Sequence, residues 1–271
     1  MIQVLSLAIL LTVMGLIAGV EALAPFRQGG AWRREHLRAN LALTAATLGL
    51  NLGLGALLVA DRRAPSWPLL VAGIAALDFS TYAAHRLMHR LPALWRVHRV
   101  HHADPLVDVT TAYRQHPLET LVRFVFLAAP AWALGLPAAT LAAYRLLSAG
   151  NALLEHANLK LWQPLDGVLS LAVCTPNMHK VHHSRRPQET DTNYGNIFAL
   201  FDRVFRTFTP SQRAGHIDYG LPGYDAVEAQ RWGALMRLPF RSEAGAPGDH
   251  GSGSGGAGRI RSRVSKMVSL R

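Results

Sequence analysis

Three short runs hold the residues best suited to chemistry: His85-Arg-Leu-Met-His89, His98-Arg-Val-His101-His102 and His179-Lys-Val-His182-His183. They contain eight of the thirteen histidines. In a helix, positions i, i+3 and i+4 share a face, so each run would present its imidazoles together. Adjacent histidines lie about 100° apart on the helix, close enough to flank one cavity. Eight converging imidazoles exceed the roughly four ligands that a zinc ion takes, and the number suits two metals. A single HxxxH is weak evidence, whereas HxxxH followed twice by HxxHH is specific. The bland alternative, three unrelated solvated faces, needs the spacing to recur by chance.

The rest of the composition narrows the chemistry. Cys174 is the one cysteine, so no internal disulfide and no thiolate cluster can form, and a metal must be held by nitrogen and oxygen. There is no nucleotide-binding glycine run and no haem-attachment motif. The net charge is +11, but the arginines lie beside apolar spans rather than along an aromatic-lined stripe, which argues against nucleic acid. Half of the residues are apolar and only 17% are charged, which is low for a soluble protein.

Long apolar stretches account for that balance. Residues 1–24 carry no charge before Glu21, and their length and the missing basic n-region favour a membrane span over a cleaved signal peptide. Residues 39–60 form a second uncharged run, and 69–84 a third that leads into His85. Arg27, Arg33, Arg34 and Arg38 put the first loop on the cytoplasmic side, and with it the clusters from His85 to His102. The opposite turn has Arg62 and Arg63. Residues 120–150, interrupted by Pro130 and Gly135-Leu-Pro137, predict a helical hairpin that enters and leaves on the same side. An even number of crossings lets His156 and His179–His183 meet the first clusters. Leu165 to Val173 is short enough to lie on or partly in the membrane. The run from Asp191 to Asn196 predicts a loop, and the aromatics of residues 197–208 predict packing rather than cofactor binding. The expected architecture is an all-α membrane protein of about four membrane-embedded segments, three spans and a hairpin, with a cytosolic cap around a di-metal site. Residues 1–242 form its membrane-embedded domain. Residues 243–271 are a Gly/Ser-rich, basic tail, flexible by composition.

These motifs in combination resemble the fatty acid hydroxylase/sterol desaturase superfamily of membrane di-iron oxygenases. The likeness covers about residues 78–208. It is carried by Asp78, HRLMH, LWRVHRVHH, the run from Thr111 through Arg114, His116, Pro117 and Glu119, NALLEH, HKVHHSRR, and the run from Asp191 through Phe208. The resemblance implies two irons and O2 acting on a C–H bond of a lipid, by hydroxylation or desaturation. It also implies a ligand between the second and third clusters, a place that His156 fits. The expected ligands are therefore His85, His89, His98, His101, His102, His156, His179, His182 and His183. Zinc binds histidine equally well, so spacing alone does not name the metal.

Four neighbours are expected to support these ligands. Asp78, a carboxylate inside an apolar span, is functional by default and could orient an imidazole. Asn151 and Glu155 lie just before His156 and could bond to it. His116 is a supporting or structural residue rather than a tenth ligand. His36, His216 and His250 lack partners at helical spacing and are expected on the surface.

The implied partners are a membrane, a lipid substrate and an external electron donor, such as a small redox carrier with its NAD(P)H reductase. Arg86, Arg90, Arg96, Arg99, Lys180, Arg185 and Arg186 surround the clusters and could dock an acidic carrier. A bacterial inner membrane with a cytoplasmic site is the expected location. Two other classes compete. A zinc hydrolase needs a general base, for which Glu155 is the near candidate, since neither arm of the HxxxH pattern contains Glu. A transporter or bis-histidine haem carrier would place its ligands at mid-membrane.

Overall fold

The computed structural model describes residues 2–28, 33–58 and 64–241. The predicted Arg62–Arg63 turn, His250 and the basic tail lie outside the described residues. Among the described residues there is no β-strand, only two isolated bridges, Val173 with Phe198 and Ser184 with Tyr219.

Among the described residues, three helices are long and apolar enough to cross a membrane: α1 (Ile2–Leu23), α2 (Arg33–Ala56) and α3 (Trp67–Arg90). They leave large apolar side chains such as Leu16, Leu23 and Val71 exposed, which a hydrocarbon environment would cover. α2 differs in carrying a buried polar stripe, His36, Asn40, Thr44 and Thr47, at helical spacing.

Local chemistry fixes the turn that matters most. Pro92 disfavours the helical conformation for Leu91, which is extended at φ −100°, ψ 117°. Leu91 thus ends α3, and Pro92 sits in the first turn of α4 (Pro92–His102), where its missing N–H costs nothing. The break folds α4 back so that His98 lies 4.9 Å, ring to ring, from His85.

After α4 a short 3-10 turn (Val109–Tyr113) is closed by Asp108, which accepts from the Thr110 N–H at 2.8 Å. Then come α5 (Pro117–Ala133) and α6 (Ala138–His156), joined through Gly135 at φ +56°, a conformation that favours glycine. This is the predicted hairpin. It packs on α3 through Leu77, Ala128, Ala131, Leu141 and Tyr144, and α6 ends at His156. The cap follows with α7 (Gln163–Leu169), α8 (Pro176–His182), α9 (Pro187–Thr190), α10 (Leu200–Val204) and α11 (Trp232–Arg237). α8 is started by Thr175, whose hydroxyl accepts from the Met178 N–H. The aromatics of 197–208 pack as expected, with Phe201 and Phe205 against Phe79 and Tyr82.

Candidate metal centre

The nine histidines come together, and they do so as two adjoining groups. His85, His89, His98, His102 and His182 form one, and His101, His156, His179 and His183 the other. Within each group one ring nitrogen per histidine lies within 4.8 Å of all the others. Helix geometry explains the division. His85/His89, His98/His102 and His179/His183 are i, i+4 pairs, and each pair stays in one group. His101 and His182 are turned by about 100° from their neighbours and cross to the other group. Each HxxHH run therefore serves both sites.

In the first group the outward nitrogens are all engaged. His85 Nδ1 donates to the Tyr194 carbonyl at 2.9 Å, and His182 Nδ1 to the Thr192 carbonyl at 2.7 Å. His89 Nδ1 faces the Asp191 carboxylate at 3.1 Å and His98 Nδ1 faces Glu119 at 3.0 Å. His102 Nδ1 lies 3.4 Å from the Thr190 hydroxyl, which itself donates to the His182 carbonyl. A carbonyl or carboxylate only accepts, so the proton of the neutral ring sits on Nδ1 and the Nε2 lone pair faces inward. All five Nε2 atoms are buried without a hydrogen-bond partner. Five converging lone pairs with no donor are costly as they stand, and fit a cation.

The second group is tighter. His156 Nε2 lies 3.1 Å from His101 Nε2 and 3.0 Å from His179 Nε2, and His183 Nε2 lies 3.2 Å from His179 Nε2. His156 Nδ1 donates to the Ala152 carbonyl at 2.7 Å, and His179 Nδ1 faces Glu155 at 3.3 Å. With those two protons directed outward, His156 Nε2 and His179 Nε2 face each other lone pair against lone pair, while the Nδ1 atoms of His101 and His183 have no partner. Burial, the dominant cause, and nearby imidazoles hold His98, His101, His102, His179, His182 and His183 well below the ordinary histidine pKa. The rings are thus neutral and ready to bind metal at neutral pH.

The supporting residues are rearranged relative to expectation. Asp78 does not orient an imidazole. Its carboxylate accepts from the backbone N–H groups of Ile197 (3.2 Å) and Phe198 (3.0 Å) and from the Asn196 amide (3.3 Å). It thereby fixes the loop that carries Tyr194. Asp202 holds the other side of that loop through the Tyr194 and Gly195 N–H groups, both at 2.8 Å. Glu155 serves His179 rather than His156, because the Nδ1 of His156 is taken by its own helix. Asn151 bonds to Glu155 and to the Asn196 carbonyl. His116 is outside both groups. It caps α5, accepting from the Leu118 N–H at 3.2 Å, three residues before Glu119.

His36 lies in the interior rather than on the expected surface. It is buried at 1% exposure, with Nδ1 2.9 Å from Asp104 and Nε2 2.9 Å from Asp108. The paired carboxylates draw it inward. His216 is exposed, as expected. Two of the proposed docking cations are also not on the surface. Lys180 is buried, donating to the Ala157 and Pro176 carbonyls, and Arg99 is buried, donating to the Leu238 and Arg241 carbonyls. Arg185 pairs with Asp225. Arg90, Arg96 and Arg186 remain exposed beside the clusters. Glu119 and Asp191, which sequence reasoning did not single out, are the carboxylates behind His98 and His89. Each lies within a motif run, but nothing in the spacing assigns its partner.

A family model described as fatty acid hydroxylase matches residues 70–207, just over half of the chain. The chain belongs to this family. It is 32% identical over 160 residues to ornithine lipid hydroxylase OlsE of Rhizobium tropici, covering 58% of this chain and 47% of that protein. It is 32% identical over 157 residues to alkylglycerol monooxygenase of Danio rerio, covering 58% and 33%. It is also 32% identical over 158 residues to very-long-chain aldehyde decarbonylase GL1-1 of Oryza sativa subsp. japonica, covering 53% and 25%. The chain thus matches less than half the length of these curated relatives. No solved structure matches it.

Proposed function

We propose that this protein is a membrane-bound, O2-dependent lipid hydroxylase whose two iron ions are held by the nine grouped histidines. The proposal is carried by the pair of adjoining groups, five and four buried imidazoles, and by the five inward Nε2 atoms of the first group, which have no hydrogen-bond partner. Such an all-nitrogen donor set suits iron, zinc or copper. Iron is the choice because the relatives named hydroxylase and monooxygenase use chemistry that zinc does not perform. Bound there, the metals would supply the activation of O2 needed to replace a lipid C–H bond by C–OH. One oxygen atom enters the product, and the other leaves as water with two external electrons and two protons.

The chain's own residues have separate tasks. Glu119, Asp191, Glu155 and the carbonyls of Thr192, Tyr194 and Ala152 set the tautomer and orientation of the ligand rings. Asp78 and Asp202 hold the 194–198 loop that supplies one of those carbonyls. Burial of the rings excludes water from the inner nitrogens. Residues 1–242 form the membrane-embedded unit that carries the reaction, with the site on the cytoplasmic face of a bacterial inner membrane. Arg90, Arg96 and Arg186 form the exposed basic rim on which an acidic electron carrier would dock. A zinc hydrolase is less well supported. It needs a carboxylate base facing the metal, and Glu119, Asp191 and Glu155 each contact an outward Nδ1.

The test is isotopic. Cells expressing the full-length protein are given 18O2, and their lipids are compared with those of cells carrying an empty vector. The expected result is a hydroxylated lipid with one 18O atom. A product labelled only from water, or a metal-loaded protein with no new lipid, would contradict the proposal.

A further inference from the structure

One polar side chain among the helices, Arg145, has no part in holding the histidines. A cavity of about 160 Å³, open to the outside, lies between α2, α3, α5 and α6. Leu54, Leu58, Phe124 and Leu127 give it apolar walls, and Arg123 and Arg145 also line it. One end comes near the candidate metal centre, although none of the nine histidines lines it. Ala84 lines it and precedes His85, and Ala152 lines it while its carbonyl accepts from His156 Nδ1.

The two arginines differ. Arg123 donates from Nε to Glu119 at 2.8 Å, so its charge is matched. Arg145 is half-buried, and its one described hydrogen bond runs from Nη2 to the Asn51 carbonyl at 3.3 Å. Among the described residues no carboxylate pairs with it. An unmatched guanidinium on a helix packed among apolar spans is costly, and such residues mark ligand pathways. Its planar fork suits a carboxylate or phosphate, which can accept two parallel hydrogen bonds. From Arg145 to His156 helix α6 rises on the order of 16 Å, a distance that an alkyl chain along the apolar wall can span.

We propose that this cavity seats the lipid substrate, with Arg145 binding an anionic end, carboxylate or phosphate, and the alkyl chain running toward the histidines. This rests on the hydroxylase proposal for the meaning of "substrate", but not for the binding itself. The competing role for Arg145 is a plain tether between α6 and α2.

Binding tests it without turnover. The full-length, metal-loaded protein in a non-ionic detergent is titrated anaerobically with oleate, oleyl phosphate and oleyl alcohol. At least one anion should bind about tenfold tighter than the alcohol, and which one does so distinguishes carboxylate from phosphate. Arg145→Gln should abolish the preference, and Arg145→Lys should retain part of it. Ala149→Phe, which fills the cavity wall, should weaken all three. Equal binding of the three probes by wild type, or a preference that survives Arg145→Gln, would overturn the proposal. An anion preference in a protein that hydroxylates no lipid would leave this site standing and remove the hydroxylase proposal. Hydroxylation with no anion preference would do the reverse.

Discussion

His101 and His102 are neighbours in the chain, yet they belong to different histidine groups. Their rings are 5.4 Å apart and inclined at 87°. The pair therefore marks the seam between the two proposed metal positions, and the two residues should not be equivalent. His101→Ala reduces a four-histidine group to three, while His102→Ala leaves four histidines in the other. His101→Ala should lose about half of the bound metal, and His102→Ala should keep most of it. Metal counted per purified chain checks this, and equal losses would argue against the division.

Glu119 lies behind His98 and also binds Arg123. Glu119→Gln removes the charge and offers His98 a weaker acceptor. Loss of such a supporting contact typically costs about 10–100-fold in metal affinity. Competition with a chelator should show a fall of that order with the helices intact by circular dichroism.

Asp78→Ala should act on metal binding through the loop rather than through a ring. It leaves the N–H groups of Ile197 and Phe198 without their acceptor, at about 1–3 kcal/mol for each one left unsatisfied. The loop then no longer presents the Tyr194 carbonyl to His85 firmly. The variant should melt at a lower temperature and lose metal, with Asp78→Asn milder in both. An unchanged melting temperature would show that the loop is held by other contacts.

The buried histidines predict a pH dependence of known sign. His98, His101, His102, His179, His182 and His183 are held below the ordinary value of 6.5 by burial. In the unfolded chain they take up protons below about 6.5. The unfolded state then binds more protons than the folded one, so stability rises with pH through this window and falls as pH drops below it. The metal-free protein should melt at a lower temperature at pH 5.5 than at pH 7.5. A melting temperature that is flat or rises on acidification would contradict the burial.

Much of this was legible in the sequence because it is periodic. The apolar runs specify three long helices, and Gly135 marks a turn by its own backbone chemistry, whereas the break before Pro92 was not singled out. The histidine runs announce themselves at i, i+3 and i+4. The division of each HxxHH between two groups was not legible, because it depends on how far one helix is rotated against another. Nor were the partners of the outward nitrogens. His89 meets Asp191 across 102 positions and His85 meets the Tyr194 carbonyl across 109. Such contacts leave no local pattern, and a backbone carbonyl leaves no trace in residue type at all. His36 shows the same limit. Without Asp104 and Asp108 in view, an isolated histidine near arginines reads as surface.

The central claim is that one chain holds two metals in adjoining histidine groups. It is tested most directly by metal analysis of the full-length protein, purified in detergent from iron-supplemented cells and quantified against amino-acid analysis. Two iron ions per chain are expected, one in each histidine group. A stoichiometry of one metal or none in folded, unmodified protein would contradict it.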